Sequence, residues 1–213
     1  TAVKPPLPDA QEPEKLALTL KEMDVEYAVL TTVCRDDLPD QGAAHLASCI
    51  AAVKKACPKM KVEMLLQDFR GDERLLEVVL DASPDVVAHN VECVRRLTES
   101  VRDAKAGYEQ SLSVLAHAKK YRPQSPTKTS LMLGLGETEA ELIEAFKDIR
   151  SVGVDILTLG QYLRPTGSRH HLPVAEFIHT ISNATRASPR STALSTSPPA
   201  RSSARRTAPP SCS

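Results

Sequence analysis

No two of the five cysteines stand close enough to form a C-x-x-C pair or any similarly tight cluster. Cys34, Cys49, Cys57, Cys93 and Cys212 are odd in number and scattered along the chain. Neither a disulfide framework nor a local metal site follows from that spacing, and small buried or half-buried thiols in a reducing compartment account for it. Cys34 stands apart because it lies at the edge of a candidate site. No stretch approaches the roughly 18 apolar residues of a membrane span, and no basic-then-apolar leader opens the chain; a soluble protein with no membrane partner is expected. Residue 1 is Thr, so a processed chain or a fragment is expected, and the missing leader excludes no compartment. Acidic residues are absent from the last 32 positions, which carry five Arg. The chain has 27 basic and 27 acidic residues, so residues 1–181 hold 22 against 27, a net charge of −5. The basic excess sits in the tail, and nothing points to a nucleic-acid surface on the folded part.

What is present is a chain of 213 residues, 41% apolar, enough to bury one sizeable core with an appendage. Pro5-Pro6-Leu7-Pro8 excludes helix, and Pro13 suits the start of a first helix over Glu12–Met23. Short β runs then alternate with segments of helical period. Strands are expected at Tyr27–Thr32, Lys61–Leu66, Val86–Ala88, Thr129–Leu133 and Ile156–Gly160. Helices are expected at Ala43–Ala56, Glu73–Ala82, Val91–Ser100, Tyr108–Tyr121 and Glu139–Val152. The alternation predicts an α/β fold with a parallel sheet and crossover helices, either a (β/α) barrel or a doubly wound sheet. Only five strands are found, and none precedes the first helix. A six- or eight-unit barrel would therefore be partial, lacking its first strand and leaving two edges to be covered. Two segments are expected: a partial barrel domain at 1–181 and a tail at 182–213. The tail is rich in Ser, Pro, Ala, Thr and Arg, with Leu194 its one large aliphatic residue, and is read as disordered.

Candidate site residues gather after the strands, where βα folds place their ligands. Asp36, Asp37 and Asp40 follow the first strand. Asp40 suits the cap of the helix at Ala43, and the surplus negative charge fits a cationic group such as an α-ammonium. His89-Asn90-Val91-Glu92 follows the third strand; Asn90 also suits a helix cap, and His89 beside Glu92 lacks the second His–carboxylate pair that a metal site needs. Gly134-Leu135-Gly136-Glu137 follows the fourth strand, where glycines either admit a ligand to the backbone or make a tight structural turn. Lys128 and Arg164 are candidate anion binders, with surface solvation the competing account.

In chain order, Arg35-Asp36-Asp37-Leu38-Pro39-Asp40, Asp68-Phe69-Arg70-Gly71-Asp72, His89-Asn90-Val91-Glu92, Val101-Arg102-Asp103, the run from Lys128 to Glu137, and Leu157-Thr158-Leu159-Gly160-Gln161-Tyr162 resemble lipoyl synthase of the radical S-adenosylmethionine (SAM) class. The resemblance runs from about Lys4 to Ile178. It implies a partial TIM-like barrel of the radical SAM type, with adenosylmethionine and two [4Fe-4S] clusters as cofactors. The implied reaction inserts two sulfurs at C6 and C8 of an octanoyl chain held on a lysine of a lipoyl carrier domain. The partners implied are the carrier domains of 2-oxoacid dehydrogenase complexes or the glycine cleavage H protein. The compartment implied is the mitochondrion, or a plastid, in a eukaryote and the cytoplasm in a bacterium. Residue by residue, it puts Asp36 and Asp37 near the methionine ammonium, Asn90, Glu92, Arg102 and Lys128 along the adenosylmethionine site, and Gly134, Gly136 and Glu137 under the adenosine.

This sequence departs from the family pattern in several places. The family's C-x-x-x-C-x-x-C loop and auxiliary-cluster cysteines belong upstream of Thr1, so no cluster ligand is assigned, and the chain taken alone is expected to be inactive. Arg201-Ser202-Ser203 is followed by Ala204 where the family closes R-S-S-Y, and no role is carried onto it. Cys34 replaces Asp, Gln41 replaces Gly, Gln67 replaces Pro and Cys93 replaces Thr, and the Gln41 exchange is expected to strain a turn. Pro165–Leu172 resembles the family's P-T-x-x-H-L with two extra residues, an insertion expected to shift Arg169. Two rival functions carry tests of their own. One is a non-catalytic remnant that binds adenosylmethionine weakly or docks a lipoyl carrier domain. The other is a βα-barrel lyase using Lys128 as an imine-forming lysine.

Overall fold

A computed structural model of the chain describes residues 5–164 and 173–174. The described residues fall within one compact unit, Thr1–Ile178. The expected tail at 182–213, the segment Pro165–Leu172 with its Arg169, and Cys212 lie outside the described residues.

Five strands form one sheet: β1 (Tyr27–Thr31), β2 (Lys61–Leu65), β3 (Val86–Ala88), β4 (Thr127–Leu133) and β5 (Ile156–Gln161). All neighbours pair in parallel, in the order β1-β2-β3-β4-β5. That order decides between the two expected architectures. A doubly wound sheet reverses direction at a switch point, whereas strands added one after another describe the arc of a barrel. Among the described residues β1 pairs only with β2 and β5 only with β4, so both expected open edges are present.

The helices are α1 (Glu12–Met23), α2 (Ala43–Ala56), α3 (Glu73–Asp81), α4 (Thr98–Val101), α5 (Tyr108–Tyr121) and α6 (Glu139–Ser151). None among the described residues is long and apolar enough to cross a membrane. Their ends follow local chemistry. Pro13 sits in the first turn of α1, which stops where Asp24 turns left-handed. Asp40 accepts from the backbone N–H of Gly42 (3.0 Å) and Ala44 (3.1 Å), giving α2 the cap expected of it. At α6 the Thr138 hydroxyl and the Glu141 carboxylate form a reciprocal capping box.

Strand alternation sorts the sheet into two faces. Val62, Met64 and Val87 turn toward the helices and join Ile50, Val53, Phe69, Val79, Leu80 and Ala118 in the core. Apart from Ala118, each such side chain contributes roughly 1.5–3 kcal/mol relative to exposure. In β4 the same period buries Thr127, Thr129, Leu131 and Leu133 and leaves Lys128, Ser130 and Met132 half-buried on the opposite face.

One element differs from expectation. Residues 91–100 are not a continuous helix: a 3₁₀ turn spans Arg95–Leu97 and α4 begins only at Thr98. After β3 the chain keeps pairing with β4. His89 N donates to Lys128 O (3.0 Å), Val91 N to the Thr129 hydroxyl (3.1 Å) and Glu92 N to Ser130 O (3.0 Å). The Glu92 carbonyl in turn accepts from Met132 N (2.7 Å), and with Glu92 left-handed and Val94 extended no helix runs from Val91, so Asn90 caps none.

Glu141 gives the fold a titratable lock. Its carboxylate accepts from Arg96 Nε (2.5 Å) and from the Thr138 N–H (2.8 Å), and these bonds hold its pKa near 2 against an ordinary 4.5. A carboxyl whose folded pKa is depressed stabilises the fold above its unfolded value and loses that contribution as pH falls through the folded one. Urea denaturation should therefore show the wild type losing stability between about pH 4.5 and 2 more steeply than Glu141→Gln. Equal slopes would contradict the assignment.

Candidate functional site

A cavity of about 600 Å³ opens at the C-terminal ends of β1 to β4. Leu65 and Met132 supply apolar floor, and Asp68, Asn90, Glu92 and Arg102 supply polar wall. Cys34, expected at a site edge, lies in the lining, and its thiol titrates high because of partial burial and the nearby Asp68, Asp36 and Asp103 carboxylates.

The His89–Glu92 segment is placed by the sheet extension described above. Glu92 pays no role in the core: it is half-buried, with φ at 71° in the left-handed region. Such strain in a non-glycine residue costs about 1–3 kcal/mol and concentrates at ligand sites. The side chains of Asn90 and Glu92 have no hydrogen-bond partner among the described residues. Arg102 is anchored at one end, Nη1 donating to the Ser111 hydroxyl at 2.6 Å. Ser111 in turn meets the buried His89 at Nε2 (3.1 Å), and His89 Nδ1 meets the Leu66 carbonyl (2.9 Å). Burial, with Arg102 adding to it and the Leu66 carbonyl opposing, holds His89 below its ordinary pKa, as a neutral ring.

The other expected site residues are placed differently. Asp36 is engaged at the rim by Lys105 Nζ (2.6 Å) and Arg70 (3.1 Å), cations that keep its pKa low. Asp37 pairs with Arg35 Nε at 2.8 Å. Neither is in the cavity lining, whose carboxylates are Asp68, Glu92 and Asp103. Lys128 lies toward the N-terminal half of β4 and donates to both oxygens of the buried Glu63 (2.8 and 3.0 Å). Glu63 also accepts from the Tyr27 hydroxyl, and burial together with that carboxylate pushes the Tyr27 pKa up to about 12. The Gly134–Glu137 turn closes on itself. Glu137, buried, accepts from the N–H of Gly134 (2.7 Å) and Leu135 (2.9 Å), so these amides serve the turn. Gly134 and Gly136 take φ values of 92° and 100°, which other residues adopt only with strain.

Beyond the residues singled out from sequence, Asp68, Asp103, Gln110 and Ser111 belong to the site. Asp68 and Asp103 lie inside matched motifs and were legible as such. Ser111 and Gln110 carried no signal, being ordinary polar residues in a helical run. Gln110 Nε2 donates to Asp68 at 2.7 Å. Two departures from the family pattern also meet here. Gln41 does take a left-handed φ of 49°, and Gln67 donates to its carbonyl at 2.5 Å while Gln41 donates to the Phe69 carbonyl at 3.2 Å.

The donor chemistry separates two kinds of cofactor. A mixed cavity with a free amide, a free carboxylate and an anchored guanidinium fits a nucleoside bearing an amino-acid end. An iron–sulfur cluster does not fit the described residues. Cys34, Cys49, Cys57 and Cys93 are separate free thiols, and among the described residues no three His, Cys, Asp or Glu side chains converge on a metal position.

The sequence profile of the Radical SAM superfamily matches residues 2–149. Lipoyl synthase from Thermus thermophilus is 59% identical over 172 residues, which is 81% of this chain and 53% of that protein. Lipoyl synthase from Legionella pneumophila strain Paris is 58% identical over 170 residues, 80% of this chain and 51% of that protein. The chain thus spans about half the length of these relatives. Among solved structures, methylornithine synthase superposes with a TM-score of 0.62 at 13% identity, over 79% of this chain and 50% of that one. Escherichia coli coproporphyrinogen III oxidase, described as a radical SAM enzyme, gives 0.59 at 13% identity, over 88% of this chain and 48% of that one. At such identities these two structures speak for the fold alone.

Two substitutions test the structural assignments. Glu137→Ala leaves two buried amides without acceptors and should cost about 1–3 kcal/mol in urea denaturation; no loss would mean that the turn does not depend on it. Glu63→Ala leaves the half-buried Lys128 without its ion-pair partner, so it should destabilise more than the double variant Glu63→Leu/Lys128→Met. The reverse order would show that the pair contributes little.

Proposed function

Because this chain belongs to the radical SAM superfamily, we propose that it is the barrel portion of a lipoyl synthase and that its cavity receives S-adenosylmethionine. The observation that carries the proposal is the convergence of Asn90, Glu92 and Arg102 on one cavity at the C-terminal ends of the strands. The extent of identity to lipoyl synthases supports the choice of reaction within the superfamily. In this reading the Asn90 amide and Glu92 carboxylate serve as acceptors for ribose hydroxyls or the adenine amine, and Arg102 faces a carboxylate. Leu65 and Met132 give an apolar floor on which the nucleoside lies.

The whole protein's substrate is then a protein-bound octanoyl chain, and adenosylmethionine, when bound, would supply the radical chemistry for sulfur insertion at C6 and C8. The carriers proposed are lipoyl domains of 2-oxoacid dehydrogenase complexes or the glycine cleavage H protein. Asp36, Asp37, Lys128 and the Gly134–Glu137 turn support the site from outside the cavity lining: the first two fasten the rim loop, Lys128 neutralises Glu63, and the turn shapes the end of β4. No step is assigned to an iron–sulfur cluster here, since the described residues hold no donor set for one.

Equilibrium dialysis of the iron-free chain against labelled adenosylmethionine tests the proposal. Weak, saturable, one-to-one binding is expected, reduced about tenfold in Glu92→Ala, the scale of one lost hydrogen bond to a charged group. Binding that never saturates, or that ignores Glu92→Ala, would contradict it.

A further inference from the structure

The direction of the hydrogen bonds behind Arg102 can be assigned atom by atom. The Leu66 carbonyl oxygen can only accept, so the proton of the neutral His89 ring sits on Nδ1, 2.9 Å away. Nε2 then carries a lone pair, and the Ser111 hydroxyl 3.1 Å from it must donate. With its proton committed, Ser111 Oγ is left as an acceptor, and Arg102 Nη1 donates to it at 2.6 Å. His89 and Ser111 are both buried, Ser111 completely, so water does not compete for these positions. The chain runs one way, from guanidinium to hydroxyl to imidazole to backbone, and each member has the only role its neighbour leaves open. Arg102 is held by one nitrogen, and its other N–H groups have no partner among the described residues although the residue lines the cavity. One position earlier on α5, Gln110 holds Asp68, so the first turn of a single helix fixes an anion and a cation of the same cavity.

We propose that Ser111 and His89 are positioning residues that aim Arg102 at a carboxylate of the cavity's ligand. The choice of ligand rests on the functional reading above: the carboxylate is that of the amino-acid end of adenosylmethionine. A side chain that merely filled space behind the cavity would leave the preference for that carboxylate unchanged. A side chain that aims the guanidinium would set it.

Two separable measurements test this. Long-range proton–nitrogen spectra of the wild-type chain report the His89 tautomer with no ligand and no substitution; the Nδ1–H form is expected, and the Nε2–H form would overturn the relay. Equilibrium dialysis then compares adenosylmethionine with its decarboxylated analogue. Wild type should prefer the carboxylate-bearing compound about tenfold, and Ser111→Ala, shown folded by circular dichroism, should bind the two about equally. A preference that survives Ser111→Ala would overturn the positioning role. Were wild type to bind neither compound, the functional reading would fall, and the relay would be judged by Arg102 guanidinium proton exchange. That exchange is expected to accelerate at least tenfold in Ser111→Ala, and an unchanged rate would overturn the relay as well.

Discussion

Everything in this structure depends on the two-residue alternation of a parallel sheet covered on one face by helices. Val62, Met64 and Val87 are committed to the helix-covered core, with Ile50 and Val53 of α2 packed against them. Because the period is two, committing those positions also commits Glu63, Leu65, Lys128 and Met132 to the opposite face. A slip of one residue in β4 would bury Lys128 among apolar side chains and expose Leu131, which is now 1% accessible. The apolar row therefore fixes the polar one. Parallel pairing in sequential order then brings the strand ends to one rim, where β1 to β4 each contribute a connecting loop.

At that rim the charges divide into two populations. Asp36, Asp37 and Glu137 are engaged by cations or amides of the chain itself. Asn90, Glu92 and most of Arg102 are not, although they face a cavity rather than open solvent. Polar groups left unmatched in a recess, one of them on a strained backbone, are a cost that a stable scaffold does not need. A ligand with complementary groups removes that cost, which is why the functional reading rests on these residues rather than on the more numerous carboxylates of the preceding loop.

Much of the fold was legible because strand and helix periods differ so plainly. β1 through β5 fall within two residues of expectation, and α1, α2 and α5 match at both ends. The segment 91–100 was not legible, because its apolar spacing is helical while Glu92, left-handed, bonds through both N–H and C=O to β4, a partner 35 to 40 residues away that local pattern does not reveal. The site was half legible. Motif resemblance named Asn90, Glu92 and Arg102, which meet in the cavity, and Asp36, Asp37, Lys128, Gly134, Gly136 and Glu137, which stand outside its lining. The difference arises because motif resemblance does not report what a side chain bonds to: Lys128 needed Glu63, 65 positions earlier, to be interpreted. Ser111 shows the converse, a residue whose role exists only through His89 and Arg102.

The most direct test of the account is a crystal structure of this chain grown with adenosylmethionine. The account predicts the nucleoside lying over Leu65 and Met132, with Asn90 and Glu92 on its polar edge and a carboxylate against the free side of Arg102. Ligand density elsewhere, with Glu92 and Arg102 still facing solvent, would contradict it.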